Sequence, residues 1–216
     1  MGYDTIRYGV KDGIARIILN RPKVLNALND TMNQELLDAL REFDIDDQAM
    51  VAILSGEGRC FCSGADVKQR QLRPPEELAR LGGPVGARPS DGVLGLGRSV
   101  NWKPVIAAVN GYAIGAGFSM AMECDLVVAA ENTQFQITEV SRGLGAPQHW
   151  VKAWYWGGGR FATQAALTGR FFTAEDACRF GMVNLVVPSD QLITEAERLA
   201  GEIMSNPPLS VRCNVR

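Results

Sequence analysis

The run VIAAVNGYAIGAGFSMAM, residues 105–122, holds eighteen residues without a charge. On the count alone it approaches a membrane span, which takes about 20 apolar residues. Its internal punctuation points elsewhere. Pro104 precedes a stretch with β-branched residues at 105–109, Asn110-Gly111 marks a turn, and Gly115-Ala116-Gly117 weakens any continuous helix. Glu123 and Asp125 follow at once. The reading is a buried strand, a tight glycine-containing loop and a short buried helix, and a strand that feeds a helix in this way belongs to an α/β fold.

The flanking sequence extends the alternation. Residues 5–19 form two strands around Lys11-Asp12-Gly13, where glycine supplies the positive φ of a tight hairpin. Met32, Leu36, Leu40 and Phe43 recur at helical spacing over residues 31–43, behind a Thr31 to Gln34 capping-box pattern. Further strands are expected at 50–54, 126–130 and 183–187, and helices at 162–168, 174–180 and 191–204. Residues 71–97, rich in Pro, Gly and Arg, read as a surface loop with a short helix. With 216 residues, the chain is expected to form a single domain, 1–216.

Composition narrows the classes. Hydrophobic residues are 46% and charged residues 21%, which excludes a disordered or low-complexity chain. Lys plus Arg is 22 against 24 for Asp plus Glu, so there is no global field to hold nucleic acid or an anionic membrane. Five scattered Cys and one His offer neither a zinc ligand set nor a disulfide framework. The first residues are polar and carry no apolar signal core, so a cytoplasmic setting is expected.

Two strand-to-helix turns could carry chemistry: Phe61-Cys62-Ser63-Gly64-Ala65-Asp66, and residues 110–117. Small residues there let a ligand approach the backbone, and the helix start leaves N–H groups free. Two such donors on one oxygen make an oxyanion hole. Taken alone, each turn reads first as a close helix-strand packing site.

Asn20-Arg21-Pro22-Lys23-Val24-Leu25-Asn26-Ala27-Leu28, FCSGAD at 61–66 and KPVIAAVNGYAIGAG at 103–117 together resemble the crotonase, or enoyl-CoA hydratase/isomerase, superfamily. Cys124-Asp125-Leu126, residues 135–139, and Gly181-Met182-Val183-Asn184 with Val187-Pro188 continue the resemblance in order. It implies a spiral of ββα units, homotrimers or dimers of trimers, and an acyl-CoA substrate whose thioester enolate is held by two backbone amides. Carried over, those amides fall on Ala65 and Ala116, and the positions lining coenzyme A on Lys23, Val24, Leu25 and Ser63. No separate cofactor is implied, coenzyme A being part of the substrate. The helical cover that relatives carry at the carboxyl end is expected to be shortened or absent.

The acid/base positions depart from the hydratase pattern. Hydratases of this family place one Glu two residues after the GAG-type loop and a second in the segment matching 135–139. Here the first position is Ser119 and the second is Glu139. Hydration calls for two groups, whereas a double-bond isomerase can move a proton from C2 to C4 with one carboxylate. Isomerisation by Glu139 is therefore favoured, with Ser119 as a substrate-binding residue or a small filler. Glu123, four residues on, shares a helix face with Ser119 and reads as half of a structural ion pair, with a stand-in for the missing carboxylate as the alternative. His149 reads as a loop or helix-face residue, because the sequence supplies no carboxylate to orient it. Trp150, Trp154, Tyr155 and Trp156 read as core or oligomer contacts. A non-catalytic acyl-CoA-binding relative, and a hydrolase or lyase using the same oxyanion hole, are the alternatives.

Overall fold

The computed structural model describes residues 2–70, 74–77, 96 and 101–215. Strands β1 (Ile6–Lys11) and β2 (Ile14–Leu19) form the expected hairpin, and Asp12 and Gly13 at its tip have φ of +54° and +79°. Two consecutive positive φ values match the turn that suits strand twist. From β2 the sheet continues in parallel through β3 (Val51–Gly56), β4 (Val105–Val109), β6 (Leu126–Ala130) and β9 (Leu185–Val187). Every residue of β4 is buried, as a parallel strand covered on both faces requires.

Helix α1 (Asp30–Ile45) packs against the hairpin through Met32, Leu36, Leu40 and Phe43. Its cap differs from the expected Thr31 pattern: Asn29 precedes the helix and its side chain accepts from the Met32 N–H at 2.8 Å. At the other end Lys103, 2% exposed, donates to the carbonyls of Phe43 at 2.9 Å and Asp46 at 2.6 Å. A buried ammonium thus satisfies acceptors that the helix end leaves open.

A second, smaller sheet went unread in the sequence. It joins β5 (Tyr112–Ile114), β7 (Gln134–Gln136) and β8 (Phe171–Thr173), the first pair parallel and the second antiparallel. What was expected to be loop after Asn110 is partly this strand. Between β5 and β6 lies the expected short buried helix, α3 (Ala116–Glu123), the four-residue Val67–Arg70 being α2. Phe118, Phe135, Phe161 and Phe172 pack the ring cluster that joins this sheet to its helices.

Helices α4 (Pro147–Gly157) and α5 (Gly159–Thr168) meet at Gly158, whose φ of +68° breaks them apart. The expected 162–168 helix is the second half of α5. Helices α6 (Ala174–Arg179), α7 (Leu192–Met204) and α8 (Pro208–Val215) complete the chain, α7 covering the outer face of the main sheet. Most of the segment expected as a loop at 71–97 lies outside the described residues. Among the described residues, no helix is long and apolar enough to cross a membrane.

Candidate active site

Three stretches of backbone run side by side and end together. The 60–62 segment pairs with β5, Cys62 N–H donating to Tyr112 O at 3.0 Å and Ile114 N–H to Cys62 O at 3.0 Å. On its other side β5 pairs in parallel with β7. Cys62, Ala113 and Phe135 therefore stand in one row. Three residues further along the three chains come Ala65, Ala116 and Thr138, with Glu139 next. The carboxyl ends of parallel strands are where α/β proteins hold ligands.

The turns at these ends are shaped by absent side chains. Gly64 has φ +96°, and a Cβ there would stand 2.7 Å from Ile114 O and 3.6 Å from Ala116 N, so the two turns touch. Leu28 takes both backbone bonds flanking Ala65, donating to Gly64 O at 2.8 Å and accepting from Asp66 N–H at 2.9 Å. The Ala65 amide therefore faces away from Leu28. Ala116 opens α3, where amides have no partner within the helix.

Glu139 begins a 3₁₀ turn, Glu139–Arg142, directly after β7. Its carboxylate lies against Gly115, φ +54°, where a Cβ would meet Oε1 at 2.7 Å. The chain reverses at Gly143, φ +71°, and the first turn of α4 brings His149 Nε2 to 3.0 Å from Glu139 Oε1. The two side chains are only 15% and 16% exposed. Burial raises the Glu139 pKa, but the hydrogen bond and charge of His149, with the backbone amides of Glu139 and Thr138, outweigh it and hold the carboxyl below its usual 4.5. Glu139 Oε2 and His149 Nδ1 are buried and, among the described residues, without a hydrogen-bond partner. The sequence reading set His149 aside for want of an orienting carboxylate. That carboxylate is Glu139.

Ser119, 1% exposed, sits on α3 just past Ala116. Lys152 of α4 donates to its Oγ at 2.6 Å and pairs with Glu123 Oε1. Glu123 Oε2 also accepts from the Leu96 N–H at 2.7 Å. Glu123 is therefore occupied and offers no free carboxylate in place of the one Ser119 lacks. The thiols nearby are inert: burial pushes Cys60 up to about 11 and Cys62 up to about 12. Among the described residues no three His, Cys, Asp or Glu gather as a metal set.

Lys23, Val24 and Leu25 are consecutive, and Ser63 adjoins Leu25. Lys23 and Val24 are exposed, Leu25 and Ser63 half-buried, and Ser63 N–H donates to Leu25 O at 3.0 Å. Leu25 and Asn26 both have φ +53°, an uncommon conformation for side-chain-bearing residues. Asn26 holds it in place: Oδ1 accepts from Arg21 N–H at 2.8 Å and Nδ2 donates to Glu57 O at 3.0 Å and Cys60 O at 2.7 Å. A cavity of about 310 Å³ lies elsewhere, against the outer face of the main sheet, with Arg16, Asn110, Leu192 and Glu197 in its wall and none of these site positions.

Residues 9–214 match the enoyl-CoA hydratase/isomerase family. The chain is 38% identical over 203 residues to a mevalonyl-coenzyme A hydratase of Aspergillus fumigatus, covering 92% of this chain and 72% of that protein. To a crotonyl-CoA hydratase of Syntrophomonas wolfei it is 36% identical over 217 residues, 98% of this chain and 80% of the other. The structure of an enoyl-CoA hydratase from Mycobacterium avium superposes with a TM-score of 0.83 at 30% identity, covering 98% of this chain and 86% of that one.

Proposed function

The chain belongs to the enoyl-CoA hydratase/isomerase, or crotonase, family and has its α/β fold, and from that premise we propose that it performs enolate chemistry on acyl-CoA thioesters at the joined ends of the 60–62 segment, β5 and β7. The amides of Ala65 and Ala116 donate to the thioester oxygen. Glu139 Oε2, the oxygen that His149 leaves free, takes the proton from C2. The electron pair moves into the enolate that the two amides stabilise. Returning the proton to C4 of a dienolate completes a double-bond isomerisation, for which one carboxylate suffices.

The observation that carries this reading is the shared register of Cys62, Ala113 and Phe135, which delivers both amide turns and the carboxylate to one place. Lys23, Val24, Leu25 and Ser63 form the rim along which the nucleotide end of coenzyme A lies, in a homotrimer or dimer of trimers within the cytoplasm. Hydration is the second reading, favoured by a specific contact: His149 supplies a second titratable group beside Glu139.

The test is incubation with a panel of saturated and unsaturated acyl-CoAs in deuterated water, with mass spectrometry and NMR of the products. Deuterium at C2 and migration of the double bond are expected. Binding without any exchange would leave a non-catalytic acyl-CoA-binding protein, and release of free coenzyme A would assign a hydrolase.

A further inference from the structure

The contact between Glu139 and His149 has an orientation. A carboxylate at Nε2 holds the proton on that nitrogen, so the neutral ring carries its lone pair on Nδ1. Nδ1 is buried and has no partner among the described residues, as is Glu139 Oε2. An enclosed acceptor left open is unfavourable, and a water or substrate group would complete it. The same helix face treats the position of the missing carboxylate differently. Lys152, three residues after His149, closes off Ser119 and Glu123. The open acceptors of this constellation are thus concentrated in the Glu139–His149 pair.

We propose that His149 is a catalytic base that gives this site a hydratase activity, with Glu139 orienting its ring, so that an imidazole held by one carboxylate performs the work of a second carboxylate. The step balances with no further reagent. A water positioned at Nδ1 loses its proton to that nitrogen while its oxygen bonds to C3 of a 2-enoyl thioester. The C2–C3 π pair moves into the enolate held by the Ala65 and Ala116 amides. The imidazolium, neutralised across Nε2 by Glu139, then returns the proton to C2, leaving a 3-hydroxyacyl thioester and the resting pair. This assignment rests on the enolate chemistry proposed above and adds the group that activates water.

Two reactions of the full-length protein separate the roles: hydration of crotonyl-CoA, and solvent deuterium exchange at C2 of butyryl-CoA. Exchange needs the amides and Glu139 but no activated water. For His149→Gln, hydration is expected to fall more than about 100-fold and exchange less than about tenfold, within the usual range of a general base. In His149→Ala, added free imidazole is expected to restore part of the hydration. Hydration and exchange falling by the same factor would make His149 only a support for Glu139 and overturn the proposal. Hydration within about tenfold of wild type, or a wild-type protein that exchanges C2 protons but adds no water, would overturn it as well while leaving the enolate chemistry standing. A wild-type protein that neither exchanges nor hydrates would remove both.

Discussion

The placement of Glu139 depends on a single missing methyl. Gly115 leaves the space in which the carboxylate sits, at a φ of +54° that side chains rarely adopt. Gly115→Ala is therefore expected to displace the Glu139 carboxylate itself and to cut C2 exchange at least about tenfold; unchanged exchange kinetics would show that the carboxylate does not need this space. The pKa shift adds a pH dependence. Because Glu139 is held below 4.5 in the folded protein, its contribution to stability is fully present above the unfolded value and is lost as pH falls through the lowered one. Glu35 behaves alike: burial raises it, but Thr5 and the amides of residues 4 to 6 outweigh burial and lower it. Urea midpoints are expected to decline below about pH 4.5, less steeply in Glu35→Gln, and equal slopes would contradict that assignment. Glu139 was legible in the sequence because it closes a recognisable segment. His149 was not, since its partner lies ten residues back across a 3₁₀ turn and a left-handed glycine that pattern reading does not resolve.

Among the elements, the apolar runs and long apolar periods were readable, with β9 found inside the expected 183–187 strand, and the three short strands of the small sheet were not. The hairpin, α1 and α7 bury enough side chains to show their period, and β4 shows as an unbroken apolar run. Strands β5, β7 and β8 are too short to alternate, and tertiary pairing rather than local sequence defines them. Yet the site depends on that small sheet. Helix α3 packs so closely on the 60–62 segment that a Cβ at Gly117 would fall 2.2 Å from Cys62 O. Gly117→Ala is expected to destabilise by more than about 3 kcal/mol in urea unfolding, an unusually large loss for one methyl. A variant as stable as wild type would contradict this close packing. Lys103→Met probes α1 in the same way, with about 1–3 kcal/mol expected for each carbonyl left unsatisfied.

For the whole molecule, Trp150, Trp154, Tyr155 and Trp156 of α4 do not form core, which was one of the two readings of the sequence. Trp154 is 54% exposed and Tyr155 71%, on the face of α4 that they share with the exposed Val151. Clustered apolar exposure of this kind marks an interaction surface. It supports the proposed homotrimer or dimer of trimers, and sedimentation velocity is expected to show such a species in the wild type and monomer in Trp154→Glu/Tyr155→Glu. A monomeric wild type would refute the assembly. The family and the α/β class were legible because the sequence motifs fall at the joined strand ends, whereas the occupied state of Glu123 and the exposure of these rings depend on how α3, α4 and α5 pack.

The central claim is that two amide turns and Glu139 converge to form a thioester enolate. Solvent deuterium exchange at C2 of bound butyryl-CoA, followed by NMR, tests it most directly in wild type and in Glu139→Gln, whose amide keeps the shape but cannot accept the proton. The account predicts steady exchange in the wild type and a loss of about 10²- to 10⁴-fold in Glu139→Gln with acyl-CoA affinity nearly unchanged. Exchange undiminished in Glu139→Gln would contradict it.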